Sequence, residues 1–509
     1  MDKRFYITTP IYYVNDKPHI GHAYTTLACD ALARFQRLDG RDVKFLTGTD
    51  EHGQKVEEAA NKAGIDPQSF TDSVSQNFQD LAVRMNFSND EFIRTTSARH
   101  KATCQKLWNI LIEKGHIYLG KYAGWYSVRD EAYYTETEIV DGKAPTGAPV
   151  EWVEEPSYFF DLSQWQDKLL AFYEANPDFV APASRFNEIK SFVSGGLKDL
   201  SVSRASFKWG VPVPNDDDHV MYVWLDALTN YLTAAGWLDD EAGYKEHWPA
   251  DVHMVGKDIV RFHAVYWPAF LMAADLPLPK RVYAHGWWTN EGQKISKSVG
   301  NVIDPHALVD EFGLDQTRYF LLREVPFGND GDFARSAMIQ RINSDLANDL
   351  GNLSNRVQSL IVKNLEGVHP DLPAAPTADD TELLDACDAL LPSVRTSFSQ
   401  QQFHEGLKAI WEVISRANRY VDNQAPWALK KTDPPRMAEV LAVLMEAIRT
   451  CAILVQPVMP QSANSLLDQL KIPADKRDFA AIGGARRDDL PVHIEKPQAV
   501  FPRFMEAEE

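Results

Sequence analysis

The sequence predicts an α/β chain: a doubly wound parallel sheet, interrupted by an inserted connective domain and followed by an α-helical bundle. Three observations carry that reading. Strand-like and helix-like stretches alternate near the amino terminus, and the alternation returns at Val252 after a long irregular stretch. Beyond about Ala334, glycine becomes scarce and apolar residues recur at helical spacing.

Taken in order, Phe5-Tyr6-Ile7-Thr8 reads as a strand, and a loop through Pro10 and Asn15 leads to an apolar periodic stretch from Ala23 to Leu38. Val43-Lys44-Phe45-Leu46 is the next strand, with a helical pattern beginning near Gln54. Ligands of such sheets sit at the carboxyl ends of strands, which is where His19 follows the first strand and Asp50 and His52 follow the second. A second unit, Val252-His253-Met254-Val255 leading through Gly256-Lys257-Asp258 into the helical run Ile259 to Met272, completes the sheet. Between Leu119 and Asn215 the chain turns irregular, with Gly120, Gly124, Gly142, Pro145, Gly147 and Pro149 among aromatics and acids, as expected of a small insertion. The expected boundaries are 1–118 and 216–275 for the two halves of the sheet domain, 119–215 for the insertion, 276–335 for a connecting region and 336–509 for the bundle.

At 509 residues, with 44% hydrophobic and 11% aromatic content, the chain can build several packed cores and is not a disordered sequence. A formal net charge of −20 argues against a broad nucleic-acid-binding surface. It leaves room only for a local basic stripe with a strongly salt-sensitive RNA affinity. Cys29, Cys104, Cys387 and Cys451 are scattered with no Cys-x-x-Cys pair, which points to a reducing compartment. Met1-Asp2-Lys3-Arg4 runs into strand-like residues rather than an apolar signal core, and no apolar stretch is long enough to span a bilayer, so a cytoplasmic protein is expected.

Two short blocks carry chemistry. In Pro18-His19-Ile20-Gly21-His22 the proline suits a first helical position, so His19 and His22 are expected to share one face of an opening turn. The unpaired N–H groups and positive dipole end of such a turn attract phosphate, two imidazoles add donors, and Gly21 lets a nucleotide approach the backbone. Lys294-Ile295-Ser296-Lys297-Ser298, followed by Gly300, offers two ammonium groups three residues apart on a loop suited to pyrophosphate. Taken singly, His-x-x-His and Lys-x-x-Lys are commonly surface decoration or half of a metal site.

Together, and in this order, the blocks resemble the two signatures of the class I aminoacyl-tRNA synthetases, whose sheet is Rossmann-like. Further segments narrow the resemblance to the methionyl-tRNA synthetase family across nearly the whole chain: Pro10-Ile11-Tyr12-Tyr13-Val14-Asn15, Thr49-Asp50-Glu51-His52-Gly53, Tyr222-Val223-Trp224-Leu225-Asp226-Ala227 and Gly256-Lys257-Asp258-Ile259-Val260-Arg261-Phe262-His263. The resemblance implies that Asp50 and the Ile11 carbonyl hold the methionine ammonium, and that Tyr13, Trp224, Ala227, Tyr231, Ile259, Phe262, His263 and Trp267 line its side-chain pocket. It implies that His19, Gly21, His22, Gly256, Asp258, Ser296, Lys297 and Ser298 bind ATP, with His19, His22, Lys294 and Lys297 catalytic. Mg²⁺ would neutralise the remaining phosphate charge. The implied reaction joins the methionine carboxylate to the ATP α-phosphate and then transfers methionine to the tRNA terminal ribose. Asn352, Arg356, Pro426 and Trp427 would read the CAU anticodon of tRNA(Met). A thioether packs well on aromatic edges and tolerates weak donors such as a Tyr hydroxyl or imidazole. One missing methylene changes binding by only about 1–3 kcal/mol, so homocysteine is expected to enter and require editing.

The chain departs from the family in two places. Many members carry four-cysteine zinc knuckles in the insertion, yet residues 119–215 contain no cysteine, so no zinc is expected and packing by Trp125, Tyr126, Tyr133 and Trp152 is expected in its place. No oligonucleotide-binding barrel follows Phe501-Pro502-Arg503-Phe504, so a monomer is expected. The rival readings are a class I synthetase for another apolar amino acid, a smaller adenylate-forming ligase, and an RNA-binding paralogue without activity. The first would need a long editing insertion, the second leaves the bundle unexplained, and the third should have lost a signature.

Overall fold

Strands covered on both faces carry continuous apolar runs, and Val252–Gly256 and Val282–His285 are buried along almost their whole length. They pair in parallel, His253 opposite Val282 and Val255 opposite Ala284. They belong to a seven-stranded sheet whose order is Tyr12–Tyr13, Asp42–Asp50, Arg4–Thr8, Val252–Gly256, Val282–His285 and Val180–Ala181, with Glu91–Arg94 paired to Asp42–Asp50. Strands distant in sequence are therefore neighbours, Ile7 lying opposite Val252, as an interrupted sheet requires. Gly48 sits where two strands meet closely: a Cβ there would lie 2.1 Å from the Ile93 carbonyl oxygen, so only glycine fits.

This computed structural model describes residues 3–14, 17–130, 132–134, 136–294, 301–483 and 493–505. The chain divides into two compact units, one of Arg4–Pro18 with Lys44–His285, the other of Met1–Lys3 with His19–Val43 and Gly286–Glu509. No described helix is long and apolar enough to cross a membrane.

In the first unit the insertion is an antiparallel sheet ordered Ala132–Tyr134, Ile117–Ser127, Glu151–Phe160 and Leu200–Ser201. Trp125 lies opposite Trp152, their ring centroids 5.4 Å apart edge to face, as the aromatic packing expected there. A polar contribution was not legible. Burial would raise the Asp130 carboxyl, but it stays below its ordinary range because it accepts from the Thr146 and Tyr134 hydroxyls and from Arg129.

The helical run expected over Ile259 to Met272 is not one regular helix. Lys257–Ile259 is a 3₁₀ turn, Phe262–Tyr266 is π-helical and Trp267–Ala273 is α-helical. Pro268 explains part of this, because it has no N–H for the Ala264 carbonyl four residues back. The Tyr173 hydroxyl donates to that carbonyl at 2.6 Å instead.

The second unit is mainly helical. Its long helices include Ile20–Leu38, Ala378–Ser399, Phe403–Gln424 and Pro434–Val455. Phe35 of the first stacks on Phe398 at 4.6 Å, and Asp39 at its carboxyl cap receives Arg395 Nε at 3.0 Å. Arg335–Arg341 continues through a π-helical stretch, Ile342–Gly351, into Asn352–Asn364.

Candidate active site

The residues expected to form the methionine pocket all lie in the first unit, and Ile11, Trp224, Tyr231, Ile259 and Trp267 lie in or against one apolar core. Tyr13 lies opposite Asp50, and the Val14 N–H donates to the Asp50 carbonyl at 3.1 Å. Asp50 is buried, while Ile11 is partly buried and packs on the main apolar core. Trp224 and Phe262 stack with centroids 3.4 Å apart and planes 11° from parallel. Ala227, Tyr231 and Trp267 are buried, and Ile259 is half-buried against the same core.

His263 fixes the polarity of this pocket. Burial pushes its imidazole down to about 4, so the ring is neutral near pH 7. Its Nδ1–H donates to the Ile259 carbonyl at 3.0 Å, which leaves Nε2 to accept from the Tyr231 hydroxyl at 2.6 Å. His253 stacks on Tyr231 at 4.1 Å, and burial, aided by His263, pushes its imidazole down as well. The hydroxyl and imidazole protons expected to meet a thioether are thus committed to protein acceptors. Trp267 Nε1–H, by contrast, is buried with no acceptor among the described residues.

The first phosphate-type block differs from expectation in one detail. Pro18 precedes the helix rather than opening it: His19 is the N-cap of Ile20–Leu38, and His22 is its third residue. The His19 Nδ1 accepts from the Gly21 N–H at 3.0 Å, and the His22 Nδ1 accepts from the His19 N–H at 3.0 Å, a reciprocal capping box made of imidazoles. Because both Nδ1 atoms accept, both neutral rings carry their proton on Nε2. The rings lie 4.0 Å apart with their planes inclined by 40°, two N–H donors side by side at a helix start. Gly21 has a structural reason as well, since a Cβ there would lie 2.9 Å from the His19 ring.

Gly256 ends its strand opposite His285 and makes room for Asp258, whose Oδ1 would lie 2.5 Å from a Cβ at that position. In the second unit, Lys294 pairs with Thr289 in a hairpin. Ser296, Lys297 and Ser298 lie outside the described residues.

Also in the second unit, Asn355, Arg356, Ser359, Leu360, Lys363 and Trp427 line a cavity of about 380 Å³. Pro426 opens the short helix Pro426–Thr432 after Ala425, which is left-handed at φ 45°, and Trp427 stands 47% exposed beside it. The Arg356 guanidinium lies 5.3 Å from the Trp427 ring centroid and pairs with Asp422 at 3.0 Å. Asn352 is exposed one turn before Arg356, outside the cavity lining. Asn355, Ser359, Leu360 and Lys363 also line the cavity and were not named from the sequence; Ser359 and Leu360 follow Arg356 by three and four residues on the same helix, the one spacing that could have pointed to them. Tyr420, on the neighbouring helix Phe403–Gln424, is buried and donates to Asp380, which Arg436 also holds.

Comparison with known proteins decides the family. The family model described as tRNA synthetases class I (M) matches residues 5–151 and 144–358, and the one described as the anticodon binding domain of methionyl tRNA ligase matches residues 372–507. The chain belongs to the methionyl-tRNA synthetase family. The methionine–tRNA ligase of Rhizobium meliloti is 58% identical over 510 residues, covering 99% of each chain. That of Rickettsia conorii is 56% identical over 507 residues, covering 99% of this chain and all, 100%, of the relative. Among solved structures, Mycobacterium tuberculosis methionyl-tRNA synthetase in complex with methionyl-adenylate superposes with a TM-score of 0.95 at 52% identity, covering 98% of this chain and 100% of that one. A synthetase for another apolar amino acid is not favoured, since both family models and these relatives are methionyl enzymes.

Proposed function

We infer that this methionyl-tRNA synthetase activates methionine with ATP, releasing pyrophosphate, and transfers the methionyl group from the adenylate to tRNA(Met). The observation that carries the side-chain specificity is the neutral His263–Tyr231 pair together with the Trp224–Phe262 stack, an aromatic pocket whose hydroxyl and imidazole protons are given to protein acceptors.

In this reading Asp50 and the Ile11 carbonyl take the substrate ammonium, and Tyr13, Ala227, Ile259 and Trp267 complete the pocket. The carboxylate oxygen attacks the α-phosphorus of ATP and the bond to the bridging oxygen of pyrophosphate breaks. His19 and His22 donate from Nε2 to phosphate oxygens, where charge builds up in the transition state. Lys294 and Lys297, with Ser296 and Ser298, stabilise the leaving pyrophosphate. Gly256 and Asp258 contribute to nucleotide binding, and ATP enters as its magnesium complex, the ion carried by the triphosphate. Residues 1–118 and 216–275 form the catalytic domain, 119–215 its insertion, held by Trp125, Trp152 and Asp130 without zinc, 276–335 the loop-bearing region, and 336–509 the anticodon reader. The enzyme works as a cytoplasmic monomer.

Asn352, Arg356, Pro426 and Trp427 read the anticodon, because an exposed indole beside a guanidinium and an open cavity suits a splayed base. Trp427→Ala is expected to lower kcat/KM for tRNA by about 5- to 150-fold, equivalent to loss of one base–aromatic stack of about 1–3 kcal/mol. Methionine-dependent pyrophosphate exchange should be unchanged. The overall reading is tested by charging a transcript with a CAU anticodon with labelled methionine; failure to charge it, or equal charging of a transcript with another anticodon, would refute the tRNA assignment.

A further inference from the structure

A buried polar cluster that the assignments above leave unused lies two residues beyond both Asp50 and Trp224. Asp226, on Val223–Ala235, is fully buried. Its Oδ2 accepts from His52 Nδ1 at 2.7 Å, and its Oδ1 accepts from His100 Nε2 at 2.7 Å. His100 Nδ1 lies 3.1 Å from the Thr233 hydroxyl oxygen, which in turn lies 3.1 Å from the Thr229 carbonyl. Burial would raise the Asp226 carboxyl, yet the charge and hydrogen bond of His52 and the hydrogen bond from His100 hold it well below the usual carboxylate range.

His100, Cys104 and Asp226 also come within 4.8 Å of one another, a grouping that could suggest a metal. Two ligands on one tetrahedral zinc stand about 3.4 Å apart, given bond lengths of about 2.1 Å. The 2.7 Å between His100 and Asp226 is a hydrogen-bond distance. The cluster is better explained as a brace. His52 lies in the turn that follows Asp50, and Trp209 grips the same turn, donating from Nε1 to the Glu51 carbonyl at 2.6 Å and accepting from the Gly53 N–H at 3.0 Å. Asp226 lies on the helix that carries Trp224, Ala227 and Tyr231.

We propose that Asp226 is a positioning residue for methionine: through His52 its carboxylate holds the turn after Asp50 in register with the helix bearing the aromatic pocket. The proposal rests on the methionine pocket assigned above. A shift of about 1 Å between the ammonium-binding carboxylate and the pocket wall is enough to cost a large factor in productive binding, without involving ATP.

The test compares His52→Asn, whose amide nitrogen falls near the Nδ1 position, with His52→Gln, whose amide falls near Nε2 and leaves Oδ2 without that donor. Methionine-driven pyrophosphate exchange and thermal unfolding are measured on the full-length enzyme. His52→Gln is expected to raise the methionine KM by about tenfold, as for loss of a charge-assisted hydrogen bond, with the ATP KM within about twofold of wild type. His52→Asn should restore the methionine KM to within about threefold of wild type. Equal methionine KM values for the two variants would overturn the proposal. So would parallel changes in both KM values, or recovery of both variants only as unfolded protein, since each indicates a purely structural role. Absence of methionine-driven exchange in the wild type would instead refute the underlying functional reading before the variants are compared.

Discussion

Arg318→Met is expected to destabilise the helical unit by about 3–5 kcal/mol, seen as a lower urea midpoint for the transition reported by helix content. Arg318 and Asp30 are both fully buried and meet at 2.6 Å. Arg318 also donates from Nε to the Val458 carbonyl at 2.7 Å and from Nη2 to the Pro457 carbonyl at 3.0 Å. One guanidinium thus ties the helix that starts at His19 to the end of Pro434–Val455. Methionine fills similar volume but takes this guanidinium from a buried carboxylate, which keeps its contact with Arg34 at 2.9 Å. The double variant Asp30→Leu with Arg318→Met removes the buried carboxylate as well and should recover most of the loss, because replacing a whole buried pair by apolar groups is often close to neutral. A single variant that unfolds at the wild-type midpoint would contradict this.

Asp50→Asn is expected to lower kcat/KM for methionine by about 30- to 5,000-fold, which corresponds to about 2–5 kcal/mol for truncating one side of a buried charge pair. Asp50 is only 6% exposed at the end of its strand, so a substrate ammonium reaching it exchanges its hydration for a carboxylate in a poorly screened setting. Asparagine keeps the shape and one acceptor oxygen but removes the charge. The ATP KM and the unfolding midpoint should stay near wild type. Equal loss of ATP and methionine binding would move Asp50 out of the ammonium site.

The parallel sheet was legible because its central strands are continuous apolar runs flanked by glycine and polar turns, as at Val252–Gly256. The π-helical stretches at Phe262–Tyr266 and Ile342–Gly351 were not, because apolar spacing in one sequence does not separate a π-bulge from an α-turn. The histidine pair was placed correctly at a helix start, but its imidazole capping box depends on ring rotamers that spacing does not determine. Asp226 stood inside a quoted motif and its role went unseen. His100 and His52 reach it across separations of 126 and 174 residues, and the sheet crossovers alone bring them together. Of the residues lining the cavity in the helical unit, Arg356 and Trp427 were named from the sequence, whereas Asn355 and Lys363 are ordinary helix-surface residues until the cavity exists.

This chain is expected to activate methionine in preference to every other amino acid. ATP–pyrophosphate exchange, measured without tRNA and with each proteinogenic amino acid and homocysteine in turn, tests it most directly. The highest kcat/KM is expected for methionine, with homocysteine next. Exchange driven best by leucine, isoleucine, valine or any residue other than methionine would contradict it.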